Sequence, residues 1–383
     1  MTSEVLTDIF GEKLVGWRRE LHQYPELSNH EFQTTQKIRQ WLSEADIPLL
    51  PLALNTGVVA EIGRRDGPIV ALRADIDALP IDEQSDRPFS SRNPGVMHAC
   101  GHDIHTSIML GAALLLKERE ADLAGKVRIL FQPAEETFDG ARQLIDAGAL
   151  EGVSVIFGGH NAPDLPVGEF GTRSGPLHAN VDRFEILVNG KGAHAARPEE
   201  GVDSIVLAAH IITALQTLPS RAFSALESVV LSVTRINGGN TWNVLPQQVE
   251  LEGTVRTHNT AVRARMPEKI TRLIEHIAAG FGAHAELRWH AGPPVLVNSA
   301  EWADFTKDVA AREGYRVHDL PPLMGGEDFA FYLHRLPGAF VNIGSASAFG
   351  LHHPRFDPAE ALIAPAARYF TRLAHETLHK LRR

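Results

Sequence analysis

Pro68-Ile69-Val70-Ala71-Leu72-Arg73-Ala74-Asp75-Ile76-Asp77 is an apolar run that opens on a proline and closes on two carboxylates. Residues 68–73 have the length and composition of a short buried strand. The same pattern recurs twice downstream. Lys126-Val127-Arg128-Ile129-Leu130-Phe131 runs into Gln132-Pro133-Ala134-Glu135-Glu136, and Val153-Ser154-Val155-Ile156-Phe157 runs through Gly158-Gly159 into His160. Helical patterns over residues 30–45 and from His105 to about Glu118, with a further strand at Gly57–Ile62, alternate with these strands. Such alternation predicts an α/β layer with a largely parallel sheet. Ligands of such sheets gather beyond the carboxyl ends of the strands, which is where Asp75, Asp77, Glu135, Glu136 and His160 fall.

Between the first two strands and the third lies Met97-His98-Ala99-Cys100-Gly101-His102-Asp103-Ile104-His105, which holds three imidazoles, a carboxylate and the only cysteine of 383 residues. Thiolate, imidazole and carboxylate are the side chains that bind Zn²⁺-like ions, and a cluster of them argues for a metal site. The loop opens a helix, whose positive end would favour a thiolate at Cys100. A covalent role for Cys100 is the competing reading. The density of ligand-type neighbours favours metal.

A chain of this length exceeds a single core, so two domains are expected. Past residue 180 the pattern changes to strand 183–188, helix 202–218, strands 228–235 and 248–256, helix 261–280 and strand 284–290. This is a ferredoxin-like β-α-β-β-α-β order. Residues 179–291 therefore read as an inserted α+β domain, and 1–178 with 292–383 as a discontinuous metal-binding domain. A strand at 339–343 and a closing helix at 360–382 complete the latter.

Net charge is −10, from 37 basic and 47 acidic residues, which argues against a nucleic-acid or anionic-membrane surface. No stretch reaches the length of a membrane span, and the start MTSEVLTDIFGEKLVGWRRE has no secretory pattern. One cysteine cannot form an internal disulfide, which suits a cytoplasmic setting. His375-Glu376-Thr377-Leu378-His379 matches the His-Glu-x-x-His pattern of zinc proteases. It lies too near the end of the sequence given to gain a downstream third ligand and reads as a solvated helix end.

Several segments together resemble the family of dinuclear metallohydrolases that includes hippurate hydrolase, N-acyl-amino-acid amidohydrolases, plant auxin-conjugate hydrolases and N-acetyl-diaminopimelate deacetylase. They are Leu21–Ser28 (LHQYPELS), Leu72–Pro80 (LRADIDALP), Met97–Asp103, Gln132–Glu136, Gly192–Pro198 (GAHAARP), Asn243–Pro246 (NVLP), Gly253–Arg256 (GTVR) and Leu351–Pro354 (LHHP). The resemblance implies a zinc-exopeptidase-like catalytic domain and an inserted lid that dimerises. It implies two divalent ions (Zn²⁺, Mn²⁺, Co²⁺ or Ni²⁺) held by Cys100, His102, Glu136, His160 and His352, with Cys100 shared. Chemistry alone allows His352 or His353; the family pattern selects His352. Asp75, His98, Asp103 and His105 are then candidates to orient the ligands. Glu135 is the expected general base and His194 the oxyanion donor, reaching a partner subunit's site. Asn243 and Arg256 are candidates to grip the substrate. Arg73 stands where the aminopeptidase and desuccinylase relatives place a metal-binding histidine.

The expected activity is hydrolysis of N-acyl amino acids of the hippurate or N-acetyl type by a homodimer or tetramer. A dipeptidase and an N-acetyl-diaminopimelate deacetylase are the alternatives within enzymes. A catalytically silent metal- or ligand-binding dimer is the alternative outside them.

Overall fold

The structure, a computed structural model, describes residues 3–382, which divide into two compact units. The first comprises residues up to Gly175, Val297–Pro321 and Asp328 onward. Its early elements are α1 (Ser3–Gln23), α2 (Phe32–Glu44), β1 (Val58–Ile62), β2 (Ile69–Asp75), α3 (His102–Glu118), β3 (Lys126–Gln132) and β4 (Val153–Ala162). Its seven-stranded sheet runs β1, β3, β2, β4, Gly338–Gly344, Glu169–Thr172 and Arg316–Asp319. β1 is antiparallel to β3, and Gly338–Gly344 is antiparallel to Glu169–Thr172; the other neighbours are parallel.

The parallel centre explains the apolar runs. β2 and β3 are buried on both faces, so they read as continuous Val, Ile and Leu instead of alternating. α3 is apolar nearly all round because helices cover it: α1 and helix Ile363–Leu381 pack against it, with Leu14, Ile108, Leu110, Ala367 and Leu373 in one core.

β4 departs from its expected end at Phe157. It continues to Ala162 because its neighbour continues beside it, with Asn342 opposite His160. His160 is thus a strand residue and not a loop residue.

The second unit comprises Pro176–Leu296 and Pro322–Glu327. Its four antiparallel strands lie in the order His284–Ala291, Asp182–Asn189, Gln248–Thr257, Val229–Gly238. Helices Ser204–Leu215 and Thr260–Gly280 pack on one face, where Phe184, Ile186 and Val188 alternate inward against Leu207, Ile211, Met266 and Ile270. Asp203 and Asn259 cap the two helices, each accepting from two first-turn amides. Segment 322–327 lies outside the expected insert yet joins this unit. Leu323 N donates to Leu177 O (2.7 Å) and Ala179 N donates to Leu323 O (3.0 Å).

Candidate metal centre

The site is assembled where β2, β3 and β4 end. β2 closes on Asp75, and the next turn carries Asp77. β3 closes on Gln132, followed by the turn that carries Glu135 and Glu136. The loop before α3 adds Cys100. That loop turns at Gly101, which has φ +87°, and a Cβ there would lie 2.4 Å from Asn161 Nδ2. Asn161 Nδ2 donates to Cys100 O (2.7 Å), so the close approach that demands glycine also fixes the cysteine backbone.

Among the groups of three ligand-type side chains whose atoms lie within 4.8 Å of one another, two share Cys100: Cys100, His102 and His160, and Cys100, Glu136 and His352. Cys100 Sγ lies 3.3 Å from His160 Nε2. His160 Nδ1 donates to Asn161 O (2.7 Å) and His102 Nδ1 to Asp77 Oδ1 (3.1 Å). Those bonds fix the tautomers and turn both Nε2 lone pairs inward, the arrangement of metal-ligating histidines. His102 Nε2 is buried without a hydrogen-bond partner, and so is Glu136 Oε1. Buried polar atoms are rarely left so unless an ion or water completes them. The donor set and these orphaned atoms fit divalent metal ions.

His352 Nε2 stands 3.4 Å from Glu136 Oε1, and its backbone amide donates to Ala99 O (2.8 Å). His353 stacks instead on Phe349 at 4.4 Å, and its Nδ1 accepts from Arg355 N. Geometry therefore turns His352, of the two, toward the cluster.

The charge balance asks for cations. Burial, then Glu136, Glu135 and Asp75, push the Cys100 thiol well above its usual range. The end of α3 does not offset them, so a thiolate here needs a bound cation. At His102 burial opposes the charged form, yet Asp75, Asp77 and Glu136 raise it to about 10. Without an ion, a proton supplies the missing positive charge.

The four orienting candidates separate. Asp75 Oδ1 accepts from His105 Nδ1 (2.6 Å), and His105 Nε2 accepts from Asn161 N (2.9 Å). Both His105 nitrogens are thereby committed, so His105 holds Asp75 and Asn161 and is no ligand. Asp103 turns away from the cluster to Arg18 Nε and His22 Nδ1, each at 2.8 Å. Its proximity in sequence to His102 was misleading, because successive residues of a first helical turn face different ways. His98 is buried, and burial pushes it down to about 4. Its ring makes no hydrogen bond to a ligand residue.

Asp77 is the residue that motif reading left out of the site. It takes His102 Nδ1 on Oδ1, and Glu136 N (3.0 Å) and Ser28 Oγ (2.7 Å) on Oδ2. Its signal was its position just past a strand end. Glu135 lies beside the cluster, with Oε2 4.0 Å from His102 Nε2.

In the second unit His194 and Asn243 share a short ribbon: His194 pairs with Val244, and Ala195 N donates to Asn243 O (3.0 Å). His194 is exposed, and its Nδ1 accepts from Ala196 N (3.0 Å), which leaves the ring proton on Nε2. Arg256, on another strand, donates from Nη1 to Met324 O (3.0 Å). On helix Ile363–Leu381, Glu376 of the His-Glu-x-x-His pattern pairs with Arg372 and Arg312. No group of three ligand atoms forms around it among the described residues.

A mixed sheet with thiol, imidazole and carboxylate groups clustered at its strand ends suits a metal-dependent hydrolase, the class to which the chain's relatives belong. The chain belongs to peptidase family M20/M25/M40, which it matches over residues 71–376. It is 50% identical over 367 residues to an N-acetylcysteine deacetylase of Bacillus subtilis, covering 95% of this chain and 97% of that one. It is 42% identical over 303 residues to an N-acyl-L-amino acid amidohydrolase of Geobacillus stearothermophilus, covering 79% and 80%. A solved dinuclear metal-binding peptidase of the M20 family from Bacillus subtilis superposes with a TM-score of 0.88 at 47% identity, covering 97% of this chain and 99% of that one.

Proposed function

We propose that the protein is a two-metal amidohydrolase that cleaves N-acyl amino acids, with Cys100, His102, Glu136, His160 and His352 as ligands and Cys100 shared. The observation that carries this reading is the pair of triads meeting at one cysteine, with a further carboxylate, Glu135, beside them. Divalent ions held by these residues would supply the Lewis acidity for amide hydrolysis near neutral pH.

The protein's own groups then divide the work. Glu135 takes the proton from the attacking water and returns it to the leaving nitrogen. Asp77 holds His102 in the tautomer that ligates, and Asn161 O does the same for His160. His194 offers Nε2–H to the oxygen on which charge develops, in a homodimer where it reaches the partner's site. Asn243 and Arg256 grip the substrate carboxylate or the tetrahedral centre, with a guanidinium suited to two-point contact. The shared thiolate must stay reduced, which suits a cytoplasmic compartment. Two deacylases among the relatives favour an N-acyl amino acid over a peptide.

The test is release of free amine from N-acetyl amino acids, hippurate and dipeptides by metal-reconstituted protein, with and without chelator. Metal-dependent release from the N-acyl substrates is expected. No turnover across that panel by protein carrying two metals per chain would refute the assignment.

A further inference from the structure

Glu31 is a fully buried carboxylate just ahead of α2, in the N-cap position. An N-cap acid ordinarily accepts from the first amides of its own helix. Glu31 makes no such bond. Glu26 does that work instead, with Oε1 accepting from Gln33 N (3.1 Å) and Oε2 from Thr34 N (2.8 Å). Glu31 is thereby released from capping, and its Oε1 accepts from the backbone of Ala134 (2.8 Å), in the turn between β3 and Glu135.

That turn is held in an unusual conformation. Ala134 has φ +52°, a left-handed backbone that a non-glycine residue adopts only when its surroundings compel it. Its carbonyl accepts from Asp139 N (3.2 Å) and Gly140 N (3.1 Å). The Pro133 carbonyl accepts from Gln132 Nε2 (3.3 Å) and sits so close to Gly140 that a Cβ there would lie 1.6 Å away. Downstream, Glu136 N is held by Asp77. The one donor of Ala134 is met by Glu31 alone among the bonds of this turn. An apolar side chain would bury at this position at lower cost than a carboxylate, so retaining an acid calls for a reason beyond packing.

We infer that Glu31 is a positioning residue: by holding Ala134 N it fixes the left-handed turn that aims Glu135. This rests on the reading of Glu135 as the base, and the experiment separates the two. Glu31→Met removes the acceptor at similar volume, and Glu31→Gln keeps an oxygen acceptor. Both are made in the metal-loaded full chain, alone and combined with Glu135→Gln, and assayed on the N-acyl substrate that the wild type turns over fastest.

For Glu31→Met, kcat falls about 10- to 100-fold, the usual effect of losing a group that supports a site. KM stays within about 3-fold and two metals per chain are retained. Glu31→Gln recovers kcat to within about 3-fold of wild type. On the Glu135→Gln background Glu31→Met costs less than about 3-fold, because a group acting through Glu135 has nothing left to aim. An equal loss on both backgrounds, an equal loss for Met and Gln, or unchanged kcat in Glu31→Met overturns the inference. Wild-type turnover by Glu135→Gln alone overturns the base assignment instead. Should Glu31→Met fail to fold, Glu31→Asp, which withdraws the acceptor by one methylene, gives the same contrast against Glu31→Gln.

Discussion

Replacing Arg73 by leucine removes a guanidinium from a fully buried network under the metal centre. Arg73 Nη1 donates to Asp75 Oδ2 and Nη2 to Asp328 Oδ1, both at 2.7 Å, while Nε donates to Gln132 Oε1 at 2.8 Å. All three acceptor residues are 0% exposed. Breaking a buried pair from one side typically costs about 3–5 kcal/mol, because the remaining charge keeps its burial and loses its partner. Two carboxylates lose their guanidinium contact here, which pushes the cost up. Each keeps other donors, which pulls it back: Asp75 retains His105 (2.6 Å), and Asp328 retains Gln132 Nε2 (2.8 Å) and Ala141 N (3.0 Å). The expected loss is therefore about 3–5 kcal/mol, and not double that, for Arg73→Leu in equilibrium urea unfolding. A second variant isolates the cause. Adding Asp328→Asn removes one of the two charges that lost the guanidinium, so the double variant should be at least about 1 kcal/mol more stable than the sum of the single effects. An Arg73→Leu protein within about 1 kcal/mol of wild type, or strict additivity with Asp328→Asn, would refute the idea that charge compensation holds this network together.

Glu135→Gln should keep two metals per chain by elemental analysis while turnover falls about 10²- to 10⁴-fold; a rate within 10-fold of wild type would remove Glu135 from the base role. Cys100→Ser deletes the sulfur common to both triads, so metal content should drop below one ion per chain; two ions retained would show that the thiolate is not shared. His178, whose ring nitrogens are both buried, is pushed down to about 4, with burial the main cause. The unfolded chain takes up this proton below about pH 6.5 and the folded chain does not until about pH 4, so stability is lost as pH falls between those values, by up to about 3 kcal/mol. His178→Gln should flatten the pH dependence of unfolding across that window, and an unchanged slope would rule out the contribution.

The sheet was legible because a parallel centre buries both faces of its strands, and β2 and β3 show that directly as unbroken apolar runs. The βαββαβ unit was legible from its two periodicities, seen in Phe184, Ile186 and Val188 and in the Met266, Ile270, Ile274 stripe. Helix α4, Gly140–Asp146, escaped because seven residues carry too little periodicity. The end of β4 was misjudged because Gly158-Gly159 reads as punctuation. In the sheet those glycines continue pairing, and Gly158 makes room for Phe329, with a Cβ there 2.7 Å from its ring. At the site, the side chains that cluster could be read from motifs, but the partners that orient them could not, since they depend on which way a side chain turns. Asp103 adjoins a candidate ligand and faces away to Arg18; Asp77 is 25 residues from His102 and holds it.

The role of Arg73 follows from the same geometry. A histidine at a strand end can ligate an ion, and an arginine cannot, since it has no lone pair to offer. Here the guanidinium points back into Asp75, Gln132 and Asp328, while His102, the first residue of α3, turns its unpartnered Nε2 toward the cluster. Asp75 links the two: Oδ2 is bound by Arg73 and stands 3.6 Å from His102 Nε2. The cation at position 73 thus holds in place the carboxylate nearest His102 Nε2. Exchanging Arg73 for histidine should not add a metal ligand, because His102 Nε2 already faces the cluster from that side and Asp328 would lose a charge partner. Arg73→His is therefore expected to lose stability as Arg73→Leu does, with two metals per chain retained; wild-type stability of Arg73→His would refute this account.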